Sequence, residues 1–70
     1  MKFKSDKLRA IRKKHHMTQN ELAEKIGVKH NTISDYETGY SKPNTLRLIS
    51  IANVFNVSMD YFFEPNDNDK

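Results

Sequence analysis

TQNELAEKIGVKHNTISDYETG, residues Thr18 to Gly39, decides how this chain folds. Thr18 and Glu21 have the spacing of a capping box, in which each side chain satisfies an orphan backbone N–H of the other at a helix start. Leu22, Ala23 and Ile26 then form an apolar stripe at helical spacing. Gly27 ends this helix, because a left-handed residue costs least without a Cβ. A further helix is expected over Lys29 to Thr38, with Ile33 and Tyr36 packing inward beside Val28 and Gly39 as its stop. Helix, glycine turn, helix, with a small residue at Ala23 where two helices cross, is the pattern of a helix-turn-helix. A generic helical hairpin needs an apolar stripe, but not this small residue, turn glycine and apolar turn residue in register.

Working outward, a first helix is expected from about Asp6 to His15, with Leu8, Ile11 and His15 on one face. After the loop TGYSKPN, Asn44 can cap a fourth helix reaching about Phe55. Leu48, Ile51, Ala52 and Phe55 give its i, i+3, i+4, i+7 seam, and Leu46, Ile49 and Val54 widen its apolar surface. Ser58 can cap a last short helix holding Met59, Phe62 and Phe63. No strand-like alternation appears, so the expected fold class is all-α. Residues 1–64 are expected as one helix-turn-helix domain and residues 65–70 as a flexible acidic tail.

Charge is unevenly placed along the seventy residues, whose net charge is +3. Residues 1–14 hold Lys2, Lys4, Lys7, Arg9, Arg12, Lys13 and Lys14 against Asp6 alone, whereas residues 59–70 hold four acids against Lys70. A basic end suits a polyanion or is simply a solvated helix surface. There is no cysteine, which excludes disulfides and a Cys-based zinc site. No apolar run approaches the roughly 18 residues of a membrane span, and no signal-peptide pattern follows Met1, so a cytoplasmic protein with no membrane partner is expected.

Chemistry-bearing motifs are scarce. His15 and His16 are adjacent and point about 100° apart on a helix, so they do not converge on one metal. No nucleophile–base spacing, phosphate loop or metal-ligand pair stands out, so no enzyme activity, no cofactor and no small-molecule ligand are expected. A protein-interaction module, or an antitoxin-type partner, using the apolar surface of the fourth and fifth helices is the alternative to DNA binding. RNA binding lacks the glycine-aromatic stacking platform of single-strand readers.

In order and spacing, TQNELAEKIGV, TISDYETG, KPN and SIANVFNVSMDYFF resemble the lambda repressor/Cro-type (Xre) helix-turn-helix family, over about Leu8 to Phe63. The resemblance implies a compact five-helix lambda-repressor-like domain whose second and third helices read double-stranded DNA, acting as a homodimer on a near-palindromic operator. It places Gln19 at a phosphate, at the start of the second helix, where N–H groups and the dipole favour an anion. It places Lys29, His30, Asn31 and Asp35 toward bases, with Thr32 nearer the backbone. Asn31 can pair with adenine N6 and N7, and Lys29 can donate to guanine O6 and N7. His30 can donate to a base acceptor or a phosphate. Asp35 either accepts from a cytosine N4, pairs with a neighbouring lysine, or screens against wrong sites. Tyr40, Ser41, Lys42 and Asn44 are expected along the phosphate backbone, and Arg12 with Glu37 as a structural ion pair. Lys29 stands where a Ser or Thr cap is common, and a cation there is mildly unfavourable unless an anion sits nearby. A repressor is expected rather than an activator, because seventy residues leave no evident effector domain.

Overall fold

The computed structural model describes residues 2–63, and the expected acidic tail lies outside them. Four α-helices are followed by a short 3₁₀ helix: α1 Ser5–Lys14, α2 Gln19–Ile26, α3 His30–Thr38, α4 Thr45–Phe55 and η1 Met59–Phe63. The described residues form a compact all-helical arrangement, with η1 in the place of the expected fifth helix. Leu8, Leu22, Ile33, Ile51 and Phe62, one from each element, are fully buried at the centre. Each such side chain contributes roughly 1.5–3 kcal/mol by leaving water, so every helix is tied to one core.

The helix-turn-helix is built as its sequence dictates. Thr18 Oγ1 accepts from the Glu21 N–H at 3.0 Å, and Glu21 Oε1 accepts from the Thr18 N–H at 2.8 Å. Ala23 is buried at the crossing. Gly27 adopts φ 77°, and the N–H of Val28 folds back to the Ala23 carbonyl at 3.0 Å. A Cβ on Gly27 would touch nothing within 4 Å, so conformation and not space selects glycine here.

The same left-handed closure ends α1 and α4 without glycine. His16 (φ 55°) and Asn56 (φ 56°) take the special position. Met17 N–H donates to the Arg12 carbonyl at 3.1 Å, and Val57 N–H to the Ala52 carbonyl at 3.0 Å. This closure stops α1 at Lys14, so His15 does not join the apolar stripe. It is exposed, its Nδ1 lies 3.0 Å from the Ile11 carbonyl, and its ring rests 5.1 Å from that of Phe55.

Other expectations shift by small amounts. α3 begins at His30, with Lys29 extended at the N-cap (ψ 153°) and no side-chain bond to the helix end. The wide apolar surface of α4 divides: Val54 packs against the core, while Leu46 is 75% and Ile49 39% exposed. Phe3, in a lysine-rich stretch with no periodicity, is buried against Phe62 and Phe63, with ring centroids 6.0 Å away in both cases. The Lys4 N–H donates to the Phe62 carbonyl at 2.8 Å, fastening the N-terminal segment to η1.

Candidate nucleic-acid interface

Behind the motif lies a polar network that joins α1, α2 and α3. Arg12 donates from Nε to Glu37 Oε2 at 2.5 Å and from Nη2 to Oε1 at 3.0 Å, and both side chains are buried. Its Nη1 donates to the Met17 carbonyl at 2.7 Å. Gln19 Nε2 adds a bond to Glu37 Oε1 at 3.1 Å. The Glu37 carboxylate thus accepts three hydrogen bonds from two side chains, which is what a buried charge requires. Gln19 is half-buried and anchored at one end, so its amide has a fixed direction at the start of α2.

In front, Gln19 meets polar side chains of α3 that have no side-chain partner among the described residues. Gln19, His30, Asn31, Ser34 and Asp35 line one open cleft of about 340 Å³. Lys29, His30 and Asn31 are exposed, and Thr32 and Asp35 are half-buried. The first turn of α3 carries no acid and no side-chain cap; the Thr32 N–H turns back to the Lys29 carbonyl at 2.9 Å, and the positive dipole end has no side-chain partner. Among the described residues the Asp35 carboxylate has no ion pair or hydrogen bond, so the expected alternative of a lysine partner is not realised there.

The loop after α3 sits beside this cleft. The Ser41 N–H donates to the Asp35 carbonyl at 3.3 Å, bringing the loop back against the helix. Tyr40 is 85% exposed and Lys42 is exposed, so both side chains are free to meet a ligand. Asn44 is partly committed: its Oδ1 accepts from the Arg47 N–H at 2.9 Å and caps α4. Only its side-chain N–H groups remain for another partner.

Arg47 was not singled out by sequence reasoning. Its Nη1 donates to the Ile26 carbonyl at 3.2 Å, so a cation from α4 meets the last turn of α2. The contact spans 21 residues of sequence, and no local pattern announces it. Among the described residues no group of three or more His, Cys, Asp or Glu side chains is placed to hold a metal ion. No helix of those residues is long and apolar enough to cross a membrane.

A rigid two-helix motif with an exposed polar edge on its second helix defines a helix-turn-helix domain of the transcription-regulator class. The helix-turn-helix family profile matches residues 8–62, and the chain belongs to that family, in its lambda repressor/Cro (Xre) type. The family consists of DNA-binding regulators and not of enzymes. Among its relatives is the uncharacterized HTH-type transcriptional regulator YqaE of Bacillus subtilis (strain 168), 35% identical over 66 residues, 94% of this chain and 57% of the relative. The HTH-type transcriptional regulator ImmR of the same organism is 42% identical over 55 residues, 79% of this chain and 43% of the relative. This chain therefore spans about half the length of these curated relatives. In structure it is similar to the P22 c2 repressor solved in complex with the synthetic operator 9T, with a TM-score of 0.82, 29% identity, and coverage of 89% of this chain and 94% of that one.

Proposed function

We propose that this chain is a sequence-specific, double-stranded DNA-binding domain that represses transcription, binding a near-palindromic operator as a homodimer with α3 in the major groove. The observation that carries the reading is the edge formed by Lys29, His30, Asn31 and Asp35. It is polar, unpartnered and mounted on a helix whose angle is fixed by Gly27, Ala23 and the buried Arg12–Glu37 pair. A helix so held projects as a unit into a groove about 12 Å wide. The likeness to a repressor solved on its operator supports both the DNA partner and the direction of regulation. The exposed Leu46 and Ile49 on α4 supply apolar surface for a second copy. Residues 1–64 form the working domain in this reading.

We infer a division of labour along this surface. Lys29, His30, Asn31 and Asp35 read base edges, with Asp35 accepting from a cytosine N4. Gln19, Thr32, Tyr40, Ser41, Lys42 and Asn44 hold backbone phosphates, which fixes register without reading sequence. Two copies would set their α3 helices in successive major grooves about 34 Å apart.

Selection from a random duplex pool, read by electrophoretic mobility, tests the proposal. Enrichment of a near-palindrome with two half-sites one turn apart is the expected result. Equal affinity for every duplex would overturn sequence reading, and a complex of one protein per duplex at all concentrations would overturn the dimer.

A further inference from the structure

The two ends of α3 are held from behind by arginines of different helices. At the C-terminal end, Arg12 of α1 grips Glu37. At the N-terminal end no residue of α3 plays this part: Lys29 makes no side-chain bond to the helix start, and both it and Gly27 are exposed. That end is fixed through α2, since Gly27, Val28 and Lys29 alone join Ile26 to His30. The Gly27 and Val28 N–H groups both donate to the Ala23 carbonyl, which leaves the Ile26 carbonyl among those that the helix end cannot satisfy itself. Arg47 of α4 meets it, with Nη1 donating at 3.2 Å. Arg47 is half-buried and has no acidic partner among the described residues. Its counter-charge is therefore the Ile26 carbonyl and the negative dipole end of α2.

The post from which Arg47 reaches is itself rigid. Leu48 and Ile51 bury α4 in the core, and the Arg47 N–H donates to Asn44 Oδ1 at 2.9 Å at the start of the helix. We propose that Arg47 is a positioning residue for sequence discrimination: by tying the Ile26–Gly27 turn to α4, it sets the angle at which the first residues of α3 meet base edges. This rests on the proposed reading of DNA by α3 and gives Arg47 no DNA contact of its own. Discrimination responds to such an angle more than bare affinity does. A hydrogen bond to a base edge weakens steeply once it departs from linearity. Attraction to the phosphates acts over several ångströms and tolerates a small tilt. Lys29, His30 and Asn31 lie just beyond the tie and shift first when it is released. Asp35 lies nearer the end held by Arg12 and Glu37 and shifts least.

The test measures affinity for two duplexes, one selected from a random pool by the wild type and one scrambled, over a range of salt concentrations. Arg47→Met keeps an unbranched stem and removes every donor. It is expected to lower the ratio of the two affinities roughly fivefold, the equivalent of one hydrogen bond, with the scrambled duplex and the salt slope unchanged. Arg47→Lys keeps a cation and a donor and is expected to recover most of the ratio. Lys25→Gln removes another cation from the last turn of α2 and is expected to keep the ratio. Amide exchange reports on the turn without DNA. In Arg47→Met the Val28 N–H, bonded to the Ala23 carbonyl, is expected to exchange faster, while the Leu22 N–H, bonded to the Thr18 carbonyl, keeps its rate. An unchanged ratio in Arg47→Met, or an equal loss in Lys25→Gln, would overturn the positioning role. So would a slope reduced by about 0.9, the mark of a direct phosphate contact. General destabilisation would overturn it too, and is recognised by faster exchange at Leu22 and Val28 alike with the ratio of the folded protein intact. A wild type that binds both duplexes equally sinks the sequence reading and the role of Arg47 together. A wild type that discriminates, beside an Arg47→Met variant that discriminates as well, sinks only the latter.

Discussion

The two helix starts of the motif are treated in opposite ways. At α2 the chain closes its own end: Thr18 and Glu21 exchange hydrogen bonds, and the Gln19 amide is tied to Glu37. At α3 the end is open, with Lys29 extended at the N-cap, no side-chain cap and no acid in the first turn. The polar groups that define the angle between the helices are satisfied internally, and those on the reading edge are left for a ligand. Apart from Gln19, which belongs to both, stability and recognition therefore reside in different residues, and mutations should separate them.

The largest effect is expected behind the motif. Glu37→Ala removes the acceptor of Arg12 Nε and Nη2 and of Gln19 Nε2, leaving a buried guanidinium without its counter-charge. Breaking a buried pair in this way costs about 3–5 kcal/mol, a large part of what a domain this small possesses. Urea unfolding followed by circular dichroism should show the midpoint fall steeply, and a loss under 1 kcal/mol would mean that the network is not structural. Asn31→Ala, on the open edge, should leave that midpoint unchanged. Its expected signature is a changed preferred sequence at one base pair per half-site, about 1–3 kcal/mol of lost discrimination. Uniform weakening on all duplexes, with the preference intact, would move Asn31 from reading to anchoring.

How much of this contrast could be read from sequence depends on the range of each interaction. The capping box of Thr18 and Glu21, the stripe of Leu22, Ala23 and Ile26, and the stop at Gly27 are all set within one or two turns, so the residues announce them. The helix ends at His16 and Asn56 were harder to see, because the left-handed residue there is not glycine and only the folded-back N–H groups reveal it. Phe3, Arg47 and the Gln19–Glu37 bond could not be read locally at all. Each depends on which distant surface the fold brings near: η1 for Phe3, the end of α2 for Arg47 and the end of α3 for Gln19. At the candidate site, Lys29, His30, Asn31 and Asp35 were legible only through the family resemblance, which assigns them position by position, and not from any local spacing. The lack of a lysine partner for Asp35 among the described residues was not legible, since it depends on where distant lysines land in three dimensions.

The closed end can be opened by one substitution. Thr18→Ala removes the oxygen that accepts the Glu21 N–H and leaves Glu21 with half of its box. Loss of such a cap costs about 1 kcal/mol. A thermal melt should shift down by several degrees, a change of the size expected per kcal/mol in a domain under 100 residues. An unshifted melt would mean that water caps α2 as well as the side chain does.

The smallest change, and the most informative about the open end, is the reverse operation. Lys29→Ser gives α3 the N-cap oxygen that it lacks and removes a cation from the positive end of its dipole. Both changes favour the helix, so the isolated domain should gain about 0.5–1 kcal/mol against urea. On DNA the sign should reverse. A lysine at an uncapped helix start is unfavourable in water but becomes favourable once a negatively charged duplex lies against it, so removing it should weaken binding and flatten the salt dependence. A stability gain with unchanged DNA affinity would mean that the open end of α3 is merely a poor cap. A gain in one and a loss in the other would show that the missing cap is maintained for the ligand, and that α3 is completed by DNA in the way that α2 is completed by its own side chains.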